Sequence, residues 1–251
     1  DAARLALDWG YDEINLNVGC PSQRVQAGNF GACLMADPDL VARCVEAMGQ
    51  ASALPVTVKH RIGIDDLDND TLLTAFVDRV AEAGAQRFSV HSRKAWLEGL
   101  DPKQNRTIPP LQHDRVIALK QRRPELLIEL NGGLETPADC LVALDECDGA
   151  MVGRAAYAHP LRWADMDHLI YGEAPRQLLA SDVVEGLIPH AAQHLHRGGR
   201  LWDLCRHLVQ LVEGVPGARH WRRELGERSQ RKGADLKILE EAGRQLKDAG
   251  L

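Results

Sequence analysis

Three segments of the chain alternate apolar and polar residues and then stop at a side chain able to do chemistry. Cys20 follows INLNVG, Lys59 ends VTVK, and His91 lies near the end of RFSVHS. Cys20 stands between Gly19, which lets the backbone bend, and Pro21, which fixes it, so the thiol is presented on a rigid turn. A nucleophilic cysteine needs a partner base, and the sequence assigns none. An ordinary thiol, with a pKa of about 8.5, stays roughly 97% protonated at neutral pH, which suits it to donating a proton. A half-buried small hydrophobe is the competing role, as it is for most cysteines. The cysteines at 33, 44, 140, 147 and 205 form no CxxC pair and read as structural thiols of a reducing cytosol.

Along PVTVK, Val56 and Val58 point one way while Thr57 and Lys59 point the other. A lysine turned toward a barrel interior is costly unless it meets an anion or lines a wet site; a surface lysine just past a strand end is the alternative. His91 falls at the equivalent place in the next unit. Asn131-Gly132-Gly133 and Gly153-Arg154 follow the last two alternating segments. Glycines there let backbone N–H groups approach an anion, a helix starting near Thr136 adds its positive end, and Arg154 supplies charge. Such a set suits a phosphorylated, redox-active cofactor. Neither HExxH, nor a carboxylate cluster, nor a cysteine–histidine cage speaks for a metal.

Five strand patterns (14–18, 55–63, 87–92, 126–133 and 149–154) must position these groups. Each precedes a helix pattern, at 37–50, 69–84, 113–124, 136–146 and 159–172, which implies parallel pairing with right-handed crossovers. Polar residues gathered at the carboxyl ends of five different strands favour a closed (β/α)8 TIM barrel over an open sheet. On that reading these are strands four to eight of the barrel. About three strands are then expected to be missing, together with an amino-terminal portion of the protein. The barrel is expected over 1–172 as a catalytic domain. A small all-helical domain follows over 173–251, with helices at 181–199, 200–215, 218–233 and 235–246. In the second of these, Leu201, Leu204, Leu208 and Leu211 form an apolar stripe at helical spacing.

The chain has a net charge of −6, unevenly spread. From residue 174 onward there are 13 basic against 10 acidic side chains, leaving 17 against 26 in the first 173. Within 197–233 the balance is nine to four. A basic tail on an acidic body suggests a polyanionic partner, with a solvated helix face as the plain alternative. No apolar run approaches the roughly 18 residues of a membrane span, and no signal peptide is visible, so a cytoplasmic protein is expected.

Several stretches together resemble the tRNA-dihydrouridine synthases, in particular their bacterial A-type branch: INLNVGCPSQRVQAGNFGACLM, VTVKHRIGIDD, VHSRKAWLEGLDPKQNRTIPPL, IELNGGL and GAMVGRAAYAHP. The resemblance spans the barrel portion, and the tail fits that family's carboxyl-terminal domain. It implies an FMN enzyme reduced by NADPH. Hydride would pass from the flavin to C6 of a D-loop uridine, and Cys20 would protonate C5. Lys59 and His91 would contact the flavin, with Lys59 stabilising the anionic reduced ring. Asn131, Gly132, Gly133, Gly153 and Arg154 would hold its phosphate end. Asn17 would sit near the uridine, and Lys103, Arg106, Arg219 and Arg222 would contact tRNA, with Trp221 available for stacking. No metal, membrane or obligate protein partner is implied. The family's first flavin loop and a ring-contacting glutamine have no counterpart here, so the chain as it stands is expected to hold FMN poorly or to misfold. Two other readings stay open: a flavin barrel acting on a free pyrimidine, as dihydroorotate dehydrogenases do, and a non-catalytic RNA-binding protein.

Overall fold

The computed structural model describes residues 1–212, 214, 215 and 217–251. Five strands form one sheet in sequence order: β1 (Ile14–Val18), β2 (Val56–Arg61), β3 (Arg87–His91), β4 (Leu127–Asn131) and β5 (Gly149–Met151). Every neighbouring pair is parallel, with a helix between, which is the repeating unit of a (β/α)8 barrel; five consecutive units are present.

The pleat sorts the residues by number. Even-numbered Val18, Val58, Phe88, Val90 and Ile128 are completely buried. They lie on the side covered by helices, where the ring of His60 meets Phe76 of helix Asp70–Glu82 at 5.0 Å. Helix Pro38–Ala51 adds Val41, Ala42 and Val45 to this core, and helix His113–Arg122 adds Val116 and Leu119. Odd-numbered residues face the other side and are almost all polar. Strand register aligns them in rows across the sheet: Asn17, Lys59, Ser89 and Glu129 in one, Arg61, His91 and Asn131 in the next.

Helix starts follow ordinary capping rules. Asp37 accepts from Leu40 N–H at 2.9 Å with Pro38 at the first position, and Asn69 accepts from Leu72 N–H at 2.9 Å.

Beyond residue 179 the described residues form the α-helices Ala180–His196, Trp202–Cys205, Ala218–Ser229 and Lys237–Asp248. They enclose a separate core that includes Val184, Leu201, Cys205, Trp221, Leu225 and Leu239. The helix expected over 200–215 is much shorter. Only Trp202–Cys205 is α-helical, and Leu208 and Leu211 continue in tighter turns, donating to Cys205 and Leu208 carbonyls at 3.0 Å. Leu201, Leu208 and Leu211 are buried all the same. Glu213, within that expected helix, lies outside the described residues.

Two compact units result, one of residues 1–134 with 138–152 and one of residues 135–137 with 153–251. This break falls earlier than the expected 172/173 because the short segments after β5 pack with the helices. Leu161 joins the helical core, and Tyr157 Oη bonds His207 Nδ1 at 2.8 Å.

Candidate active site

At the end of β1 the Asn17 carboxamide oxygen accepts the Gly19 N–H at 3.0 Å, turning the chain out of the sheet and presenting Cys20 half-buried. The following segment folds back on that turn. Ala32 N–H donates to the Cys20 carbonyl at 2.8 Å, and Gln26 Nε2 ties the Pro21 and Leu97 carbonyls at 2.9 and 3.0 Å. Gly31 makes the close approach possible. Its φ is +74°, and a Cβ there would lie 2.4 Å from the Cys20 carbonyl oxygen and 3.2 Å from its Cβ. Gly31→Ala is expected to cost on the order of 1–3 kcal/mol and to displace Cys20, read as a lower melting temperature. An unchanged melting temperature would contradict this packing.

Across the sheet, Lys59 Nζ donates to Asn131 Oδ1 at 2.7 Å, and Asn131 Nδ2 donates to the Met151 carbonyl at 2.7 Å, which fixes the amide's orientation. Burial pulls the Lys59 ammonium down to about 8; neighbouring Arg61 pushes the same way and Glu129 opposes. His91 accepts the Arg93 N–H on Nδ1 at 3.2 Å. Burial, then Arg61, Lys59 and Arg93, hold His91 at about 3, so the ring is neutral with its proton on Nε2. Gly132 packs against it: φ is +106°, and a Cβ would stand 3.3 Å from His91 Nε2. His113 Nε2 fixes the Gly132 carbonyl at 2.8 Å. Gly133, with φ +75°, leaves no room for a side chain beside Leu111. A half-buried ammonium, a neutral N–H donor and a backbone without Cβ atoms thus converge on one face of the sheet.

A polar floor lies below them that sequence reasoning missed. Glu129 bonds Ser89 Oγ and approaches Arg87 at 3.7 Å, while Arg87 also pairs with Glu13 at 2.7 Å. Odd-numbered charges in strands 87–91 and 127–131 were the available signal.

Gly153 and Arg154 open the helix Arg154–Ala158 in the second compact unit, and their expected role rests on their position after β5. Lys103 and Arg106 are exposed on the loop after β3, flanking Asn105, which is completely buried. The Asn105 side chain accepts Trp96 N–H at 2.8 Å and donates to the Trp96 and Leu100 carbonyls, so this loop is held firmly. Arg219 and Arg222 are exposed on helix Ala218–Ser229. Trp221 is not available for stacking: it is 7% exposed and its Nε1 donates to the Leu208 carbonyl at 2.9 Å. Helical spacing explains this, since Ala218, Trp221, Leu225 and Ser229 share the face turned to the core. Among the described residues no helix is long and apolar enough to cross a membrane.

Side chains delivered to one mouth by the ends of successive parallel strands define a β/α-barrel enzyme. The particular family follows from sequence: the profile for dihydrouridine synthase (Dus) matches residues 1–248, and the chain belongs to that family of oxidoreductases. The tRNA-dihydrouridine(20/20a) synthase of Synechocystis is 51% identical over 251 residues, 100% of this chain and 73% of that protein. The enzyme of the same name from Shewanella oneidensis is 49% identical over 94% of this chain and 71% of its own length. That of Escherichia coli O6:H1 is 47% identical over 98% of this chain and 75% of its own.

Proposed function

We propose that the protein reduces a uridine in the D-loop of tRNA to 5,6-dihydrouridine, using FMN reduced by NADPH, with Cys20 as the acid. The observation that carries this reading is the turn at the end of β1, which presents a half-buried Cys20, in a sheet whose neighbouring strands offer a half-buried ammonium and a neutral N–H donor. The donor set fits a flavin: Lys59 offers positive charge, His91 an Nε2–H, and Gly132 and Gly133 a backbone open to close approach. When bound, reduced FMN would supply a hydride to C6. Cys20 breaks its S–H bond and gives the proton to C5, so two C–H bonds replace the C5–C6 π bond and the sulfur keeps the electron pair. Solvent then reprotonates Cys20. Lys59 and His91 would hold the cofactor ring as donors. Asn131 aims Lys59, and the Asn131–Gly133 backbone would take up the phosphate end of the cofactor.

Charge at the mouth supports a polyanionic substrate. Arg61, Arg93 and Arg106 lie near enough to oppose one another's positive charge, and Lys59 and Arg93 both press on His91. A mouth of mutually repelling cations gains when phosphates approach. Under this proposal Asn17 serves the uridine, Lys103 and Arg106 the tRNA backbone, and Arg219 and Arg222 tRNA phosphates; all five are exposed.

The test is to incubate the protein with unmodified tRNA, FMN and NADPH, and to analyse the nucleosides by mass spectrometry. Dihydrouridine in tRNA is expected, with free uridine unchanged. Reduction of free uridine or orotate alone would replace this reading with a small-molecule one, and a protein that takes up no flavin would end it. Arg219→Ala with Arg222→Ala should flatten the dependence of tRNA affinity on salt by about 1 to 2 in log–log slope. An unaltered slope would return both arginines to an ordinary solvated helix face.

A further inference from the structure

Arg61 is the last residue of β2 and shares the polar face with Lys59. It is 4% exposed. Its Nε donates to the Gly19 carbonyl at 2.9 Å, and its Nη1 to the Lys94 and Asn105 carbonyls, both at 3.0 Å, with the Arg93 carbonyl at 3.5 Å. Every one of these acceptors is a neutral main-chain oxygen. They belong to two segments, the turn that presents Cys20 and the rim loop carrying Lys103 and Arg106. Among the described residues Arg61 makes no ion pair with a carboxylate, although Lys94 and Arg115, next to this site, share Asp68.

A guanidinium taken out of water without an anion is costly, by several kcal/mol in typical cases. Its neighbours increase that cost. Burial, then Arg106, and to a lesser extent Arg93, pull Arg61 down to about 10, and the group that opposes them is Cys20. An anion does arise beside Arg61 in the proposed reaction, because Cys20 keeps the S–H electron pair when it gives up its proton. Carbonyl bonds alone would not call for a permanent charge at this position. A charge next to the sulfur has a use only if the sulfur becomes negative.

We propose that Arg61 is the positioning residue of the acid: it pins the Gly19–Cys20 turn to the rim loop and supplies the countercharge for the thiolate that proton donation leaves. This inference rests on Cys20 being the acid. The planar fork suits the task, since one guanidinium reaches carbonyls on two segments in fixed directions, which a lysine ammonium cannot do.

The test compares wild type, Arg61→Gln and Arg61→Lys by the rate at which iodoacetamide alkylates Cys20 at pH 7, read on the Cys20 peptide by mass spectrometry, with Cys33 as internal reference. Loss of the countercharge in Arg61→Gln should slow Cys20 alkylation by about tenfold or more, because the reagent attacks the thiolate. A residue that only tethers the turn would give the opposite sign, since a freed turn exposes Cys20 and speeds alkylation; equal or faster alkylation therefore overturns the proposal. If Arg61→Gln does not fold, Arg61→Lys decides. It keeps the charge and loses the fork, so alkylation should stay within about threefold while uridine reduction falls at least about tenfold. Alkylation slowed beyond that range, or unchanged turnover, overturns the proposal. Failure of the acid assignment itself would be seen separately, as a Cys20→Ala protein that still reduces uridine at the wild-type rate.

Discussion

Cys20→Ala should bind flavin and consume NADPH like wild type while reducing tRNA uridine about 10²–10⁴ times more slowly, the usual contribution of a placed general acid. Alanine removes only the sulfur. The turn that carries residue 20 depends on the Asn17 carboxamide, the Ala32 N–H and the absence of a side chain at Gly31, and all three remain. Flavin binding depends on Lys59, His91 and the glycines after β4, none of which loses a partner. The separation is read by stopped flow. Flavin bleaching by NADPH should keep its rate, and reoxidation by unmodified tRNA should collapse. A Cys20→Ala protein in which both phases keep their rates would return Cys20 to the role of a small hydrophobe.

Lys59→Met should weaken FMN binding by about 10- to 100-fold, the cost of losing a charge-assisted hydrogen bond of some 1.5–3 kcal/mol. The same change should raise the melting temperature of the unliganded protein. Lys59 titrates near 8 in the fold against 10.5 for an ordinary lysine, so at neutral pH the fold carries a partly desolvated charge that the unfolded chain would rather solvate. Between about 8 and 10.5 the unfolded chain holds more protons than the folded one, and this group's contribution to stability therefore rises with pH across that window. Methionine removes the cost below it. Flavin fluorescence titration and thermal melts at pH 7 and 9.5 test both halves, with the gain in melting temperature larger at pH 7. Wild-type flavin affinity, or a lower melting temperature at pH 7, would contradict the assignment of Lys59 as a half-buried cation held for a ligand.

Most of the fold was legible because the pleat leaves its period in the sequence. Val56, Thr57, Val58 and Lys59 alternate in type, and the structure gives them alternate faces, so Lys59 could be assigned to the interior before any partner was known. The five strands were legible for the same reason. What escaped were features set by contacts between distant segments. His60 is wholly buried between Phe76 and Phe88 with Nδ1 on the Arg61 carbonyl at 2.7 Å, a core histidine held down to about 4 by burial, and nothing local marks it. Trp221 looked free for a base because the basic residues around it dominate the segment, yet its helical phase sends it inward with Leu225. Arg61 ends a strand as Lys59 nearly does, but its role depends on carbonyls 32 to 44 residues away in sequence. Gly31 is one small residue among several in its segment, and only the Cys20 carbonyl packed against it singles it out.

Everything above depends on a sulfhydryl and a reducing cofactor acting together on one pyrimidine. The most direct measurement is anaerobic: load the protein with FMN, reduce it with one equivalent of NADPH, add unmodified tRNA, and follow flavin absorbance while counting dihydrouridine in the quenched RNA. Return of the oxidised flavin spectrum with one dihydrouridine for each flavin reoxidised is the expected result. Flavin that stays reduced in the presence of tRNA, or reoxidises without forming dihydrouridine, would contradict it.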